Sequence, residues 1–463
     1  IQTYSPMYVT IKWRNEQDGK GTTSTKVGRD KVVRITGTTK SKDQEILIYG
    51  AEYIKKFGSL VDIKPTHLLL NQAKRLIELD CQNDEELIEL QISECSYLQS
   101  VKVNGCSKLG VLTSSQVLDV SGCDNLRYLN AYGTQVTTID TNSAGGNLVE
   151  MYVPKTLTTL SLKNQYSLTT LGLPCASGIT ASGYEIKNNG TNIANFSLIN
   201  CPLITRLTYN ATPSINGDAY DFHSNRRTTS ELANIEDYEM YKHLSFVGNG
   251  LAKADNIYIE NSCINMEGLS FRGAENLKFI TLRDLPNLKH LLIGSNRTGN
   301  NWEQYSKGDL IGSFNYDGLT IKDCPNIETF RFHDFQGYPI RGQNNGNNNY
   351  SSWIDFTQDT LDLESKFPNL KVFSCNMPTQ NLSTIILPDT MESICINGVT
   401  SESMTDRYHH WTKGKMDLQN IYFKSDYPNG TSGIHMGNRY LTETTFSACP
   451  KALVIDGLNI KNE

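Results

Sequence analysis

The sequence has no stretch of about 18 consecutive apolar residues, so no segment reads as a membrane-spanning helix. Basic residues do not predominate: 43 Lys and Arg stand against 49 Asp and Glu, a net charge of −6. Gripping a phosphate backbone takes a clustered basic face, and without one no nucleic-acid partner is expected. There is no G-x-S-x-G, no H-E-x-x-H, no phosphate-binding P-loop and no glycine set of a dinucleotide fold. Cysteine pairs of the C-x-x-C type are also absent, which removes the usual zinc spacing. His409-His410 is the only pair among eight scattered histidines, and adjacent side chains diverge on a helix or a strand. These absences point away from catalysis, and no enzyme activity, cofactor or metal is expected. Polysaccharide cleavage by two carboxylates that the fold brings together is the one enzymatic reading left open.

What is present is a repeated phrase: a leucine, two polar residues, an apolar residue, one polar residue and a third apolar residue. Leu98, Val101 and Val103 form one copy, and Leu126 and Leu129 with Ala131 another. Leu157, Leu160 and Leu162 make a third, and Leu168, Leu171 and Leu173 a fourth. The full period is 20 to 22 residues, with weaker half-copies at Leu118, Val136 and Leu157. That period falls in the leucine-rich-repeat range, where each coil gives one strand to a parallel sheet. The last two apolar residues of the phrase are two apart and share a strand face, whereas a helix would sustain apolar spacings of three and four. The half-copies predict that the return side of each coil is extended as well. A single coil cannot bury enough surface to fold, so the unit is the stack. The fold class expected is therefore mainly β, a leucine-rich-repeat-like solenoid with a parallel sheet.

Cysteine is moderately frequent, at 11 residues. Cys95, Cys106, Cys123, Cys201 and Cys324 close the apolar phrase and read as a ladder of buried, reduced thiols that turn the chain out of the strand. The expected core ladder is Leu98, Val101, Val103, Cys106, Leu126, Leu129, Leu157, Leu160, Leu162, Leu168 and Leu171.

Along the chain, residues 1–60 read as a small β module that caps the first coil, with strands at Tyr8–Trp13, Lys31–Thr36 and Glu45–Tyr49. Asp18-Gly19 and the run Gly21-Thr22-Thr23 read as turns between them. Residues 61–463 read as the solenoid. Its lead-in, with Leu68-Leu69-Leu70, Ala73 and Leu76-Ile77, fits either a short amphipathic helix or an irregular first coil. Insertions are expected at 176–195, 210–243, 295–317, 334–366, 397–419 and 424–445. The second of these carries a capping-box pattern from Thr228 to Glu231 and a helix of about three turns after it. The aromatics Trp302, Tyr305, Tyr350, Trp353 and Trp411 fall in insertions and form the candidate ligand-binding set, suited to a sugar or a protein. Residue 1 is Ile, and the chain reads as a processed or trimmed piece of something longer. After Ile460 no polar cap is visible, so a further domain or a partner is expected at that end.

The stretch from Leu118 to Leu129, the turn Tyr132 to Thr134 and the run Gly145 through Pro154 resemble a pattern in tail, baseplate or fibre proteins of gut (crAss-like) bacteriophages. The lead-ins Ile48–Glu52 and Gly58–Leu60 are similar to it too, and the resemblance covers roughly residues 45–175. It implies a structural or host-contacting virion protein, partnered by other virion proteins in an oligomeric assembly and by a host glycan or receptor. It brings no catalytic residues. The alternative is a bacterial cell-surface or secreted leucine-rich-repeat adhesin that binds a host protein or glycan.

Overall fold

The structure is a computed structural model. It describes residues 1–12, 22–27, 29, 47–49, 51–58, 65–71, 73–141, 145–174, 179–180, 183–184, 192–208, 243–245, 251, 254–272, 277–294, 314–332, 354–355, 360–378, 384–391, 393–399, 420–423, 443–447 and 460–461. The chain divides into two compact units, Ile1–Gly172 and Leu173–Glu463. Both consist of short, mostly parallel strands, and each is a leucine-rich-repeat-like solenoid.

The described strands of the first unit are β1 (Gln2–Thr3), β2 (Met7–Lys12), β3 (Thr22–Val27), β4 (Leu47–Tyr49), β5 (Ile54–Gly58), β6 (His67–Leu69), β7 (Glu78–Asp80), β8 (Glu89–Gln91), β9 (Ser100–Lys102), β10 (Val117–Asp119), β11 (Tyr128–Asn130), β12 (Thr138–Asp140), β13 (Glu150–Tyr152), β14 (Thr159–Lys163) and β15 (Thr170–Leu173). The front sheet runs β1-β5-β7-β9-β11-β13-β15, parallel from β5 onward, with β1 antiparallel at its edge. Phe57, Leu79, Val101, Leu129, Met151 and Leu171 lie opposite one another in successive strands, and all are buried. The return side is extended as the half-copies required: β6 pairs with β8 and β10 with β12, both in parallel.

The strands are short because one coil offers each sheet only one inward residue before the chain must turn. β7, β9 and β13 each bury their middle residue alone. The other two apolar positions of the phrase flank the strand. Leu98 sits in the turn before β9, where its N–H donates to Cys95 O, and Val103 follows the strand, where its N–H donates to Asn130 O of the next coil. Every member of the expected core ladder is buried.

The turns share one device. Asn83, Glu94, Gly105, Gly122, Gly133 and Asn164 all have φ between 57° and 78°, the left-handed region that Gly and Asn tolerate best. The residue after each (Asp84, Cys95, Cys106, Cys123, Thr134 and Gln165) points back inside and is buried. The cysteines thus occupy a small inward corner slot. Their thiols donate to carbonyls of the preceding coil: Cys95 to Leu70 O at 3.3 Å, Cys106 to Cys81 O at 2.9 Å and Cys123 to Ile92 O at 3.3 Å. Burial pushes Cys95 up to about 11 and Cys106 and Cys123 up to about 12, which favours the protonated thiol at each.

One open expectation is decided and another changes. The lead-in near Leu68 is a coil rather than a helix, because Leu68 and Leu79 fall into the registers of β6 and β7. Thr22-Thr23 is the start of β3 rather than a turn: β-branched Thr residues pair with Ile11 and Lys12 across an antiparallel ladder. That ladder and β4 form a three-stranded sheet in the order β3-β2-β4, over a small core of Val9, Ile11 and Val27. The strand expected at Lys31–Thr36 lies outside the described residues, as does the helix expected after Glu231.

In the second unit one parallel sheet runs through Asn195–Ile199, Asn256–Glu260, Phe279–Arg283 and Leu319–Lys322. Another runs through Gly268–Arg272, His290–Gly294, Thr329–Phe332, Val372–Pro378, Ser393–Val399 and Glu443–Ser447. The same corner recurs, with Asn200, Asn261, Asp284 and Asp323 at φ between 43° and 54°. Phe330 stacks on Phe367 at 4.9 Å and lies 5.7 Å from Phe373, filling a core position that leucine and valine hold in the first unit. The segment 334–366, read as one excursion, ends in a coil strand, Thr360–Asp362, which pairs with Thr384–Leu387. Its Thr-Leu-Asp-Leu sequence is a short form of the phrase. Lys366 follows, with Nζ 3.7 Å over the buried ring of Tyr316 and 3.0 Å from the Tyr316 carbonyl. Burial lowers the Lys366 amine to about 8.

A second ladder joins coils at the surface. Asn125 Nδ2 donates to Ser96 O, Asn147 Nδ2 to Asp124 O, Asn287 Nδ2 to Ile264 O, Asn326 Nδ2 to Pro286 O and Asn369 Nδ2 to Pro325 O, all at 2.7–2.8 Å. In each case the asparagine precedes the first apolar residue of a phrase. It closes a carbonyl that the turn of the preceding coil would otherwise leave to water.

Candidate functional site

Alternation along a strand sends the residues on either side of each buried apolar residue outward. On the front sheet of the first unit this makes two rows. One is Lys56, Glu78, Ser100, Tyr128, Glu150 and Thr170; the other is Gly58, Asp80, Lys102, Asn130, Tyr152 and Gly172. Neither row holds an aliphatic side chain.

Charges at the β5–β9 end of the rows neutralise one another. Lys56 bonds to Glu78, and Lys102 Nζ lies 3.6 Å from Glu78 Oε1 and 3.7 Å from Asp80 Oδ2. The hydrogen bond from Lys56 holds the Glu78 carboxyl below its usual value, against a smaller opposing effect of burial.

The β11–β15 end is aromatic. The Tyr128 and Tyr152 ring centroids are 5.9 Å apart, inclined at 54°. Each phenol oxygen is fixed by a neighbour two residues away on its own strand. Asn130 Nδ2 donates to the Tyr128 oxygen at 3.2 Å, and the Tyr152 hydroxyl donates to Glu150 Oε2 at 2.9 Å. Asn130 is itself buried, and its Oδ1 accepts the Tyr132 N–H at 3.2 Å. The Tyr152 ring lies against Gly172 in the next strand: a Cβ there would fall 2.1 Å from Tyr152 Cδ1. Glycine in a strand interior is a weak residue, and the aromatic laid across it covers its backbone.

A similar arrangement stands on the second unit, on the outward side of Asn256–Glu260 and its neighbours. Tyr258 OH bonds to Glu260, and Arg283 Nη1 donates to the Tyr258 oxygen at 3.3 Å while lying 3.8 Å from Glu260. Asn256 Nδ2 donates to Asn195 Oδ1 at 2.7 Å. Phe279, in the same row as Asn256, is 56% exposed.

The insertion aromatics Trp302, Tyr305, Tyr350, Trp353 and Trp411 lie outside the described residues. The sheet-face tyrosines were missed by sequence reasoning because they occupy slots that read only as polar in Leu126-Arg-Tyr128-Leu129-Asn130 and Leu148-Val-Glu150-Met151-Tyr152. The available signal was aromatic residues in the outward slots of consecutive coils. Among the described residues, no group of three His, Cys, Asp or Glu is placed to hold a metal, and no helix is long and apolar enough to cross a membrane.

No protein-family model matches the chain, and no curated protein matches it either. Among solved structures it is similar to a leucine-rich repeat protein from Bacteroides ovatus ATCC 8483, at 11% identity and a TM-score of 0.24, over 99% of this chain and 98% of that one. An overlap of that quality carries no argument, and the assignment of the fold rests on the strand pairing and buried rows above.

Proposed function

We propose that this is a non-enzymatic structural and recognition protein. Its stacked coils hold a flat outward surface on which other macromolecules are bound. The observation that carries this reading is the front face of the first unit. Its side chains are tied to one another by hydrogen bonds and ion pairs on a rigid parallel sheet. A surface ordered in advance loses little side-chain freedom on binding. Catalysis would need a group poised to gain or lose a proton at a reacting atom. On this face Glu78 is drawn toward its charged form, and the Glu150 carboxylate accepts the Tyr152 hydroxyl.

The resemblance of residues 45–175 to phage tail, baseplate and fibre proteins supports a virion component as the setting, with protein–protein contacts in the tail and attachment to the host surface. Affinity purification of the tagged chain from its native source, followed by lysine cross-linking and mass spectrometry, tests this. Co-purification with other virion proteins, cross-linked to the chain, is the expected result. Recovery of the chain alone, or with envelope proteins only, would reject the virion setting.

A further inference from the structure

We infer that the Tyr128–Tyr152 surface of the first unit is a binding site for a neutral saccharide. This inference rests on the reading of the front sheet as a recognition face, and it names the chemistry of one thing that face receives.

A protein partner gains most from an apolar centre that becomes fully buried. The two outward rows from Lys56 to Gly172 contain no aliphatic residue, so a protein would find no such centre here. An anionic polymer is opposed by Glu78, Asp80 and Glu150 against only Lys56 and Lys102. A cationic chain would have to compete with the lysines that already hold Glu78 and Asp80. What remains suited to the surface is an uncharged molecule with C–H faces and many hydroxyls. Aromatic rings offer such a molecule apolar area, with a polar edge alongside.

The rings are also fixed beforehand. The buried Asn130 amide sets Tyr128, and Glu150 together with the Gly172 backbone sets Tyr152. At 5.9 Å between centroids and 54° between planes, the two rings form a shallow angled seat rather than a flat stack. Sugar C–H groups would lie on the rings, and sugar hydroxyls would donate to Glu150 oxygens and exchange hydrogen bonds with the tyrosine oxygens and Ser100.

The test is isothermal titration of the full chain with hexamers of β-1,4-glucan, α-1,4-glucan and α-mannan. Hyaluronan and polylysine serve as charged probes. The account expects binding of at least one neutral hexamer. It further expects that Tyr128→Ala and Tyr152→Ala each weaken this at least tenfold, while Tyr8→Ala, at an exposed position of β2, leaves it unchanged. Tyr152→Phe keeps the ring and should bind within about threefold of the native chain; circular dichroism checks that each variant is folded. No binding of any neutral hexamer at millimolar concentration overturns the inference, as does binding that survives the double alanine change or prefers a charged probe. If protein partners co-purify and lose their grip on the Tyr128→Ala/Tyr152→Ala chain while no hexamer binds, the saccharide inference fails and the recognition reading stands.

Discussion

Glu94 and Gly122 hold the same corner in successive return turns, and exchanging their roles probes the stack directly. Glu94 N–H donates to Ser121 O at 2.8 Å, and the two residues have φ of 63° and 69°. A side chain in this left-handed region costs about 1–2 kcal/mol. Replacing glycine returns about 0.4–1 kcal/mol by restricting the unfolded chain. Gly122→Ala should therefore destabilise by about 1 kcal/mol from the backbone alone. Contact adds to this, since the new Cβ would stand 3.0 Å from Glu94 Cα. Glu94→Gly relieves the same strain and incurs the entropic cost of glycine, about 0.5–1 kcal/mol, so it should be neutral to about 1 kcal/mol stabilising. Urea unfolding followed by far-ultraviolet circular dichroism reads both as midpoint shifts at constant slope. Gly122→Ala should lower the midpoint and Glu94→Gly should not. If Gly122→Ala were as stable as the native chain, the corner geometry argued here would be wrong.

Four further outcomes follow. Leu129→Ala, at the centre of the buried front row, should cost about 2–5 kcal/mol, read as a lowered urea midpoint. Asn326→Ala removes the bond to Pro286 O and should cost about 0.5–1.5 kcal/mol, whereas Asn326→Asp, which lacks the donor, should not recover it. Cys106, Cys123 and Cys324, raised by burial to about 12, 12 and 11, should react with a thiol reagent at pH 8 only when the chain unfolds; rapid labelling of the native protein would contradict the corner ladder. Lys366 has a folded value near 8, below its usual 10.5, so between those two values the unfolded chain holds a proton that the folded chain has lost. Stability should rise with pH across that window, and Lys366→Met, compared by thermal melts at pH 8 and pH 10, should remove the rise.

The coil was legible because its pattern is strict. A two-residue apolar spacing inside a period of 20 to 22 admits only a short strand per turn, and Leu129 and Leu171 fall where that rule places them. The return strands were legible from Leu118 and Leu157 for the same reason. The corner was only half read. Cysteine was seen to end the phrase, but the left-handed residue before it was not, although Asn104-Gly105-Cys106, Ser121-Gly122-Cys123 and Asn200-Cys201 display it. The binding face was not legible, because a tyrosine in a polar slot looks like any half-exposed residue until the register lays Tyr128 beside Tyr152. The pairing of Leu129 with Met151 brings the two rings onto one face, in slots that the apolar phrase leaves unspecified.

The central claim is that successive coils stack in parallel register, with one apolar residue of each facing its counterpart in the next. Methyl-labelled nuclear Overhauser spectroscopy of the full chain measures this most directly. The account predicts an unbroken series of cross-peaks from Leu79 to Val101, Val101 to Leu129, Leu129 to the Met151 methyl, and Met151 to Leu171. Cross-peaks confined to residues three or four apart in sequence, or a break in that series between neighbouring coils, would contradict it.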